Sequence, residues 1–145
     1  MTKRQLMAHF KRVLNAYIPG IANRTGLTDP GYQMVWSTTT GIAGTANGVI
    51  YLNYDNWFKD HADDYGCLVH EYTHLIQNVP GGTCPGEVIE GFADAMRYIF
   101  GLFDPSWWSP QPTAAKIAGL SYASFQKLSR AMHAGTYDPS LLEGA

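Results

Sequence analysis

Apolar residues return every three or four positions at the start of the chain. Leu6, Phe10, Val13, Leu14 and Tyr17 form one stripe, which predicts an amphipathic helix capped by Thr2 and running to about Tyr17. Pro19-Gly20 reads as its end, and Asn23 to Gly31 is turn-rich. The pattern then changes. Tyr32 to Ser37 is rich in strand formers, Thr38 to Gly41 is a connection, and Ile42 to Ala46 is small and weakly strand-like. Asn47-Gly48 predicts a hairpin turn into a strong strand, Val49 to Leu52. Asn53 to Asp60 reads as a loop or short helical turn that sends Trp57 and Phe58 into the core, and His61 as a solvent-exposed or capping residue.

Helical spacing returns from about Asp63 to Asn78. Leu68, Val69, Tyr72, Leu75 and Ile76 cover several faces of that segment, so it should be nearly buried. Asp63 and Asp64 suit its N-terminus. Val79 to Gly86 is a tight return loop. A further helix should begin near Pro85 and run to about Phe103. Gly91 within it costs roughly 1 kcal/mol against Ala, which implies close packing, expected against the preceding helix. Asp104 to Pro112 is a proline- and tryptophan-rich loop whose Trp107 and Trp108 could form a hydrophobic wall of a cleft or, the favoured reading, cover the core. Ser121 to about His133 predicts the last main helix, with Tyr122, Phe125, Leu128 and Met132 inward and Gly135 at its end. A terminal turn starts at Thr136 to Pro139. No internal repeat is visible. The elements predict an α+β fold in one domain, residues 1–145.

Composition narrows the class without naming a function. The chain has 145 residues, 46% apolar and 15% charged, enough for one domain with a real core and too apolar for a disordered chain. No apolar run reaches the ~20 residues of a membrane span. Ten basic and 12 acidic residues leave a net charge of -2, which is no nucleic-acid footprint. Lys3, Arg4, Lys11 and Arg12 cluster early, as on the solvated face of a helix. The start of the chain shows no signal-peptide apolar region. Cys67 and Cys84 could form a disulfide, remain as two buried thiols, or supply Cys84 as an inhibitory metal ligand.

The chemistry lies in Val69-His70-Glu71-Tyr72-Thr73-His74 and in Val88-Ile89-Glu90-Gly91-Phe92-Ala93-Asp94. The first stretch contains H-E-x-x-H. On a helix, residues four apart share a face, so His70 and His74 can address one ion. Glu71, one position round, can act on a water as general base. A catalytic zinc site usually has three protein ligands and one open position. Glu90 can complete the set from the next helix. Asp94, four residues on, can accept the free N–H of a liganding imidazole, most naturally His70. Arg97 can pair with Asp94 or with a substrate carboxylate. Together these residues predict hydrolysis of peptide bonds by a metal-activated water, with Zn2+ as cofactor and a peptide or protein as substrate.

Cys67 to Gln77 (CLVHEYTHLIQ) and Glu90 to Tyr98 (EGFADAMRY) resemble the basic secretory protein family of plants and bacteria. The resemblance extends to the C-terminal LSRAMHAGTYDPSLL and thins between Trp107 and Tyr122. These are zinc peptidases of gluzincin type. The resemblance implies a small zincin-like fold: a short antiparallel sheet with an edge strand packed on the HExxH helix, then a third-ligand helix. It implies His70, His74 and Glu90 as ligands, Glu71 as general base and Asp94 behind a ligand. It gives Ile42 to Ala46 a role as the edge strand that a substrate extends. It also implies an oxyanion donor from the C-terminal part of the chain, with Tyr122, Tyr137 and His133 as candidates and Tyr98 a poorer one. Secretion is the family's habit. Two other classes compete: an inactive zincin-like module that keeps zinc for stability, and a helical domain without metal.

Overall fold

The computed structural model describes residues 1–109 and 111–144; Pro110, in the predicted proline- and tryptophan-rich loop, lies outside the described residues. Helix α1 spans Lys3–Thr25. Thr2 accepts from the Gln5 backbone while the Gln5 side chain accepts from Thr2 N, a reciprocal capping box. Leu6, Phe10, Leu14, Ile18 and Ile21 form its buried stripe. The helix therefore continues through Pro19-Gly20, where the sequence predicts a stop. Pro within a helix costs ~3 kcal/mol, and burial of Ile18 and Ile21 offsets it. Gly20 has a separate use: a Cβ there would lie 3.0 Å from the ring of Phe100. The helix ends at Gly26, whose φ of 71° caps it in the left-handed region.

Three strands follow: β1, Gln33–Trp36; β2, Ala43–Ala46; and β3, Val49–Leu52. Asn47 and Gly48, with φ of 52° and 77°, make the primed turn that joins β2 to β3. The sheet order is β1-β3-β2, so β2 is an edge strand. The sheet is mixed, where a purely antiparallel one is expected: β1 runs parallel to β3, with Gln33 opposite Val49 and Trp36 opposite Leu52. The physical reason is the connection before β2. Asn53 donates to Thr40 O at 2.8 Å, holding that segment across the end of the sheet. Met34, Ile50 and Leu52 are buried on the sheet's inner side.

A π-helical turn, Tyr54–Phe58, leads to α2, Tyr65–Gln77. Asp64 caps α2, and Asn78 closes it with a positive φ. Helix α2 is the centre of the fold, buried along almost its whole length between α1, the sheet, α3 and α5. Gly66 allows this approach, since a Cβ there would lie 2.4 Å from Leu102 O.

Helix α3 spans Gly86–Ile99, shorter than the predicted run to Phe103. Gly101 takes a φ of 69°, and Leu102 N turns back to donate to Arg97 O at 2.7 Å, which ends the helix. A short helix α4, Ala114–Ala118, lies in the segment whose pattern predicts no element. Gly91 of α3 packs against the residue that precedes α4, not against α2: a Cβ there would lie 1.7 Å from Thr113 Oγ1. Helix α5, Tyr122–Ala134, is capped by Ser121 and Gly135, and a 3-10 turn, Pro139–Glu143, follows. Among the described residues, Phe10, Leu14, Phe58, Leu68, Phe92 and Phe125 belong to one core cluster that spans α1, the sheet, α2, α3 and α5.

Candidate metal centre

Spacing along α2 and the crossing of α3 bring three donors together. His70 and His74 are one turn apart on α2, and Glu90 reaches them from the first turns of α3. His70 Nε2 lies 3.1 Å from His74 Nε2 and 3.0 Å from Glu90 Oε2; His74 Nε2 lies 3.2 Å from Glu90 Oε1. All three ligand atoms lie within 4.8 Å of one another. Metal–ligand bonds of ~2.0–2.1 Å in a tetrahedron imply an edge of about 3.3 Å. The observed triangle is close to that size, so the group can hold a metal ion. Two imidazoles and a carboxylate are a donor set that suits zinc and other divalent transition metals.

The surrounding charges favour a cation at this point. His70 donates from Nδ1 to Asp94 Oδ1 at 2.8 Å, which leaves Nε2 facing the triangle. Burial pushes the His70 imidazole down, but its hydrogen bonds to Asp94 and Glu90 outweigh this and raise it to about 9. Hydrogen bonds to His70 and His74 hold the Glu90 carboxyl well below its ordinary range. A proton is thus stabilised where a metal ion would replace it. Asp94 also lies 3.2 Å from Arg97 Nε. Arg97 is 2% exposed, and its guanidinium sits 4.2 Å from the centre of the Trp108 ring. Trp108 is tied in turn to the start of α2, donating its indole N–H to Asp64 Oδ2 at 3.0 Å, as Trp57 does at 2.9 Å. A line of contacts therefore runs from His70 to the loop before α4.

The triangle opens into a cleft of about 1120 Å³. The β2 hairpin, from Gly41 to Gly48, walls it, and Ile89, Trp108, Ser109 and Gln111 also line it. Glu71 is buried at its floor, with Oε2 3.9 Å from His70 Nε2 and Oε1 accepting from Thr45 Oγ1 at 2.9 Å. Thr45 is missed by the sequence pattern, where its one signal is a lone hydroxyl in a strand of small residues.

The candidate oxyanion donors are dispersed. Tyr122 donates to Asn23 O and Oδ1 on the face shared with α1. Tyr137 packs at the edge of the core. Neither lines the cleft, nor does Tyr98; His133 does, and its Nδ1 donates to Gln77 O at 2.7 Å. Contact with Gln77 at the end of α2 brings it there, a proximity invisible in sequence. The two cysteines are free thiols. Cys67 is buried beside the cleft and its thiol is pushed well up by burial, then by Glu71 and Asp64. Cys84 is not among the cleft residues. His61, expected at the surface, is half-buried and stacks on Trp57 with ring centres 3.7 Å apart.

Among the described residues, no helix is long and apolar enough to cross a membrane. A family model described as a peptidase of plants and bacteria matches residues 12–125. No curated protein and no solved structure matches the chain.

Proposed function

The chain belongs to this family of peptidases of plants and bacteria, and from that premise we propose that it is a zinc-dependent endopeptidase of gluzincin type. The observation that carries the reading is the convergence of His70, His74 and Glu90 with Glu71 alongside, in a cleft walled by an edge strand. We take residues 1–145 as one metallopeptidase domain, supported by the shared core of α1, the sheet, α2, α3 and α5.

His70, His74 and Glu90 are the metal ligands in this reading. Zinc held there would supply Lewis-acid chemistry toward a water and a peptide carbonyl. Asp94 holds the Nδ1 proton of His70 and so keeps Nε2 aimed at the site. Glu71 Oε2 takes the water's proton and delivers it to the leaving amine. The free edge of β2 receives an extended peptide as an added strand, and Ala43 and Gly44 leave room for its backbone. His133 is the cleft histidine outside the ligand set, and we assign it the donor role toward the developing oxyanion. Protonated, it donates from Nε2 while Nδ1 stays bonded to Gln77 O.

The test pairs metal content with hydrolysis. Mass spectrometry of chelator-free protein should find about one zinc per chain in the wild type and a strong loss in Glu90→Ala. Glu71→Gln should keep the zinc and lose cleavage of a casein or mixed-peptide substrate. Absence of zinc after reconstitution, or wild-type cleavage by Glu71→Gln, overturns the proposal.

A further inference from the structure

Glu71 presents its two carboxylate oxygens to different partners. Oε2 faces the ligand set, 3.9 Å from His70 Nε2. Oε1 faces away and accepts the hydroxyl of Thr45 at 2.9 Å; the same hydroxyl lies 3.1 Å from Glu71 O. Thr45 belongs to β2, the edge strand on the cleft wall, whereas Glu71 belongs to α2. The contact spans 26 residues of sequence and joins the edge strand to the floor of the cleft. Strand residues around Thr45 carry no other polar side chain, being Ala43, Gly44 and Ala46.

We infer that Thr45 is a positioning residue that holds the carboxylate of Glu71 from the edge strand, reserving Oε1 as anchor and Oε2 as the oxygen that exchanges the proton. This rests on the reading of Glu71 as general base. A free Glu side chain has three rotatable bonds, so an unanchored carboxylate spends part of its time turned from the reacting water. Hydrogen bonds from a hydroxyl to an ionised carboxylate are among the stronger neutral-to-charged contacts. Its donor sits on the strand that a peptide would extend, so any shift of β2 on substrate binding moves the anchor of the base with it.

Two measurements test this, one of them independent of activity. The first is a double-mutant cycle in thermal unfolding of the metal-free protein, with Thr45→Val, Glu71→Ala and the double variant. Touching side chains predict a melting-temperature loss in the double variant clearly different from the sum of the singles. Additive losses would mean that the two side chains do not interact, and would overturn the inference. The second is peptide hydrolysis by the zinc-loaded protein. Thr45→Val should lower kcat about 10- to 100-fold with KM within about twofold and zinc content unchanged, the size of effect that a misplaced catalytic group produces. Thr45→Ser, which keeps the hydroxyl, should recover to within about threefold of wild type. Full kcat in Thr45→Val, or a Ser variant as poor as the Val variant, overturns the inference. A wild type that binds zinc and cleaves nothing overturns the peptidase reading, and the role for Thr45 in catalysis with it; the cycle still decides the contact by itself.

Discussion

His70 and Asp94 face each other from adjacent helices, Nδ1 to Oδ1 at 2.8 Å, with the Asp94 side chain itself 9% exposed. The contact orients the imidazole and gives it a negatively charged partner at Nδ1, the ring nitrogen opposite the one that faces His74 and Glu90. Asp94→Asn keeps the shape and an acceptor but removes the charge. It should weaken metal binding about 10-fold, at the lower end of what such partners contribute. Competition with a metal-chelating dye measures this directly; unchanged affinity would show that the Asp94 charge is idle.

Gly91→Ala should destabilise the fold, against the usual gain of ~1 kcal/mol for this change in a helix. The new Cβ would stand 1.7 Å from Thr113 Oγ1 and 2.9 Å from Thr113 Cβ. The Thr113 hydroxyl already donates to Glu87 O at 2.9 Å, so it cannot swing aside freely. A loss of about 1–3 kcal/mol is expected, read from urea unfolding. Adding Thr113→Gly should recover part of it, because the clash then has no side chain to meet.

Stability should also fall at alkaline pH through Tyr72. Its phenol donates to Asp29, and burial followed by that hydrogen bond pushes its pKa well above the ordinary 10. The folded state therefore keeps a proton that the unfolded chain loses near pH 10. The contribution is complete below pH 10 and is lost as pH rises beyond it. Urea midpoints should fall more steeply between pH 9 and 11 for the wild type than for Tyr72→Phe. Parallel curves would sink this account.

The thiols should be silent. Cys67 is 2% exposed with its pKa pushed well up, and burial raises Cys84 as well. Thiolate is the reactive form, so brief iodoacetamide treatment of native protein at pH 7.5 should leave Cys67 unmodified by mass spectrometry. With both thiols free, a reducing agent should leave the melting temperature unchanged. A drop on reduction would reveal a disulfide.

Local pattern carried much of this protein. Period-3.6 stripes located α1, α2, α3 and α5, and Asn47-Gly48 located the hairpin, because turn and cap chemistry acts between residues a few positions apart. The i, i+4 spacing of His70 with His74 and of Glu90 with Asp94 put each pair on one helix face for the same reason. Length was legible less well. Pro19-Gly20 reads as a stop by propensity, yet burial of Ile18 and Ile21 in a core built by distant residues carried α1 on to Thr25. The parallel pairing of β1 with β3 and the packing of Gly91 against Thr113 likewise join segments far apart in sequence. Only the tertiary structure decided which polar groups share the cleft. Thr45 meets Glu71 across 26 residues, and His133 meets Gln77 across 56, while Tyr122 turns instead to Asn23. No periodicity encodes such meetings, because they follow from how α2, α5 and β2 pack around one core, and that packing is settled by the sum of many weak contacts across the whole chain.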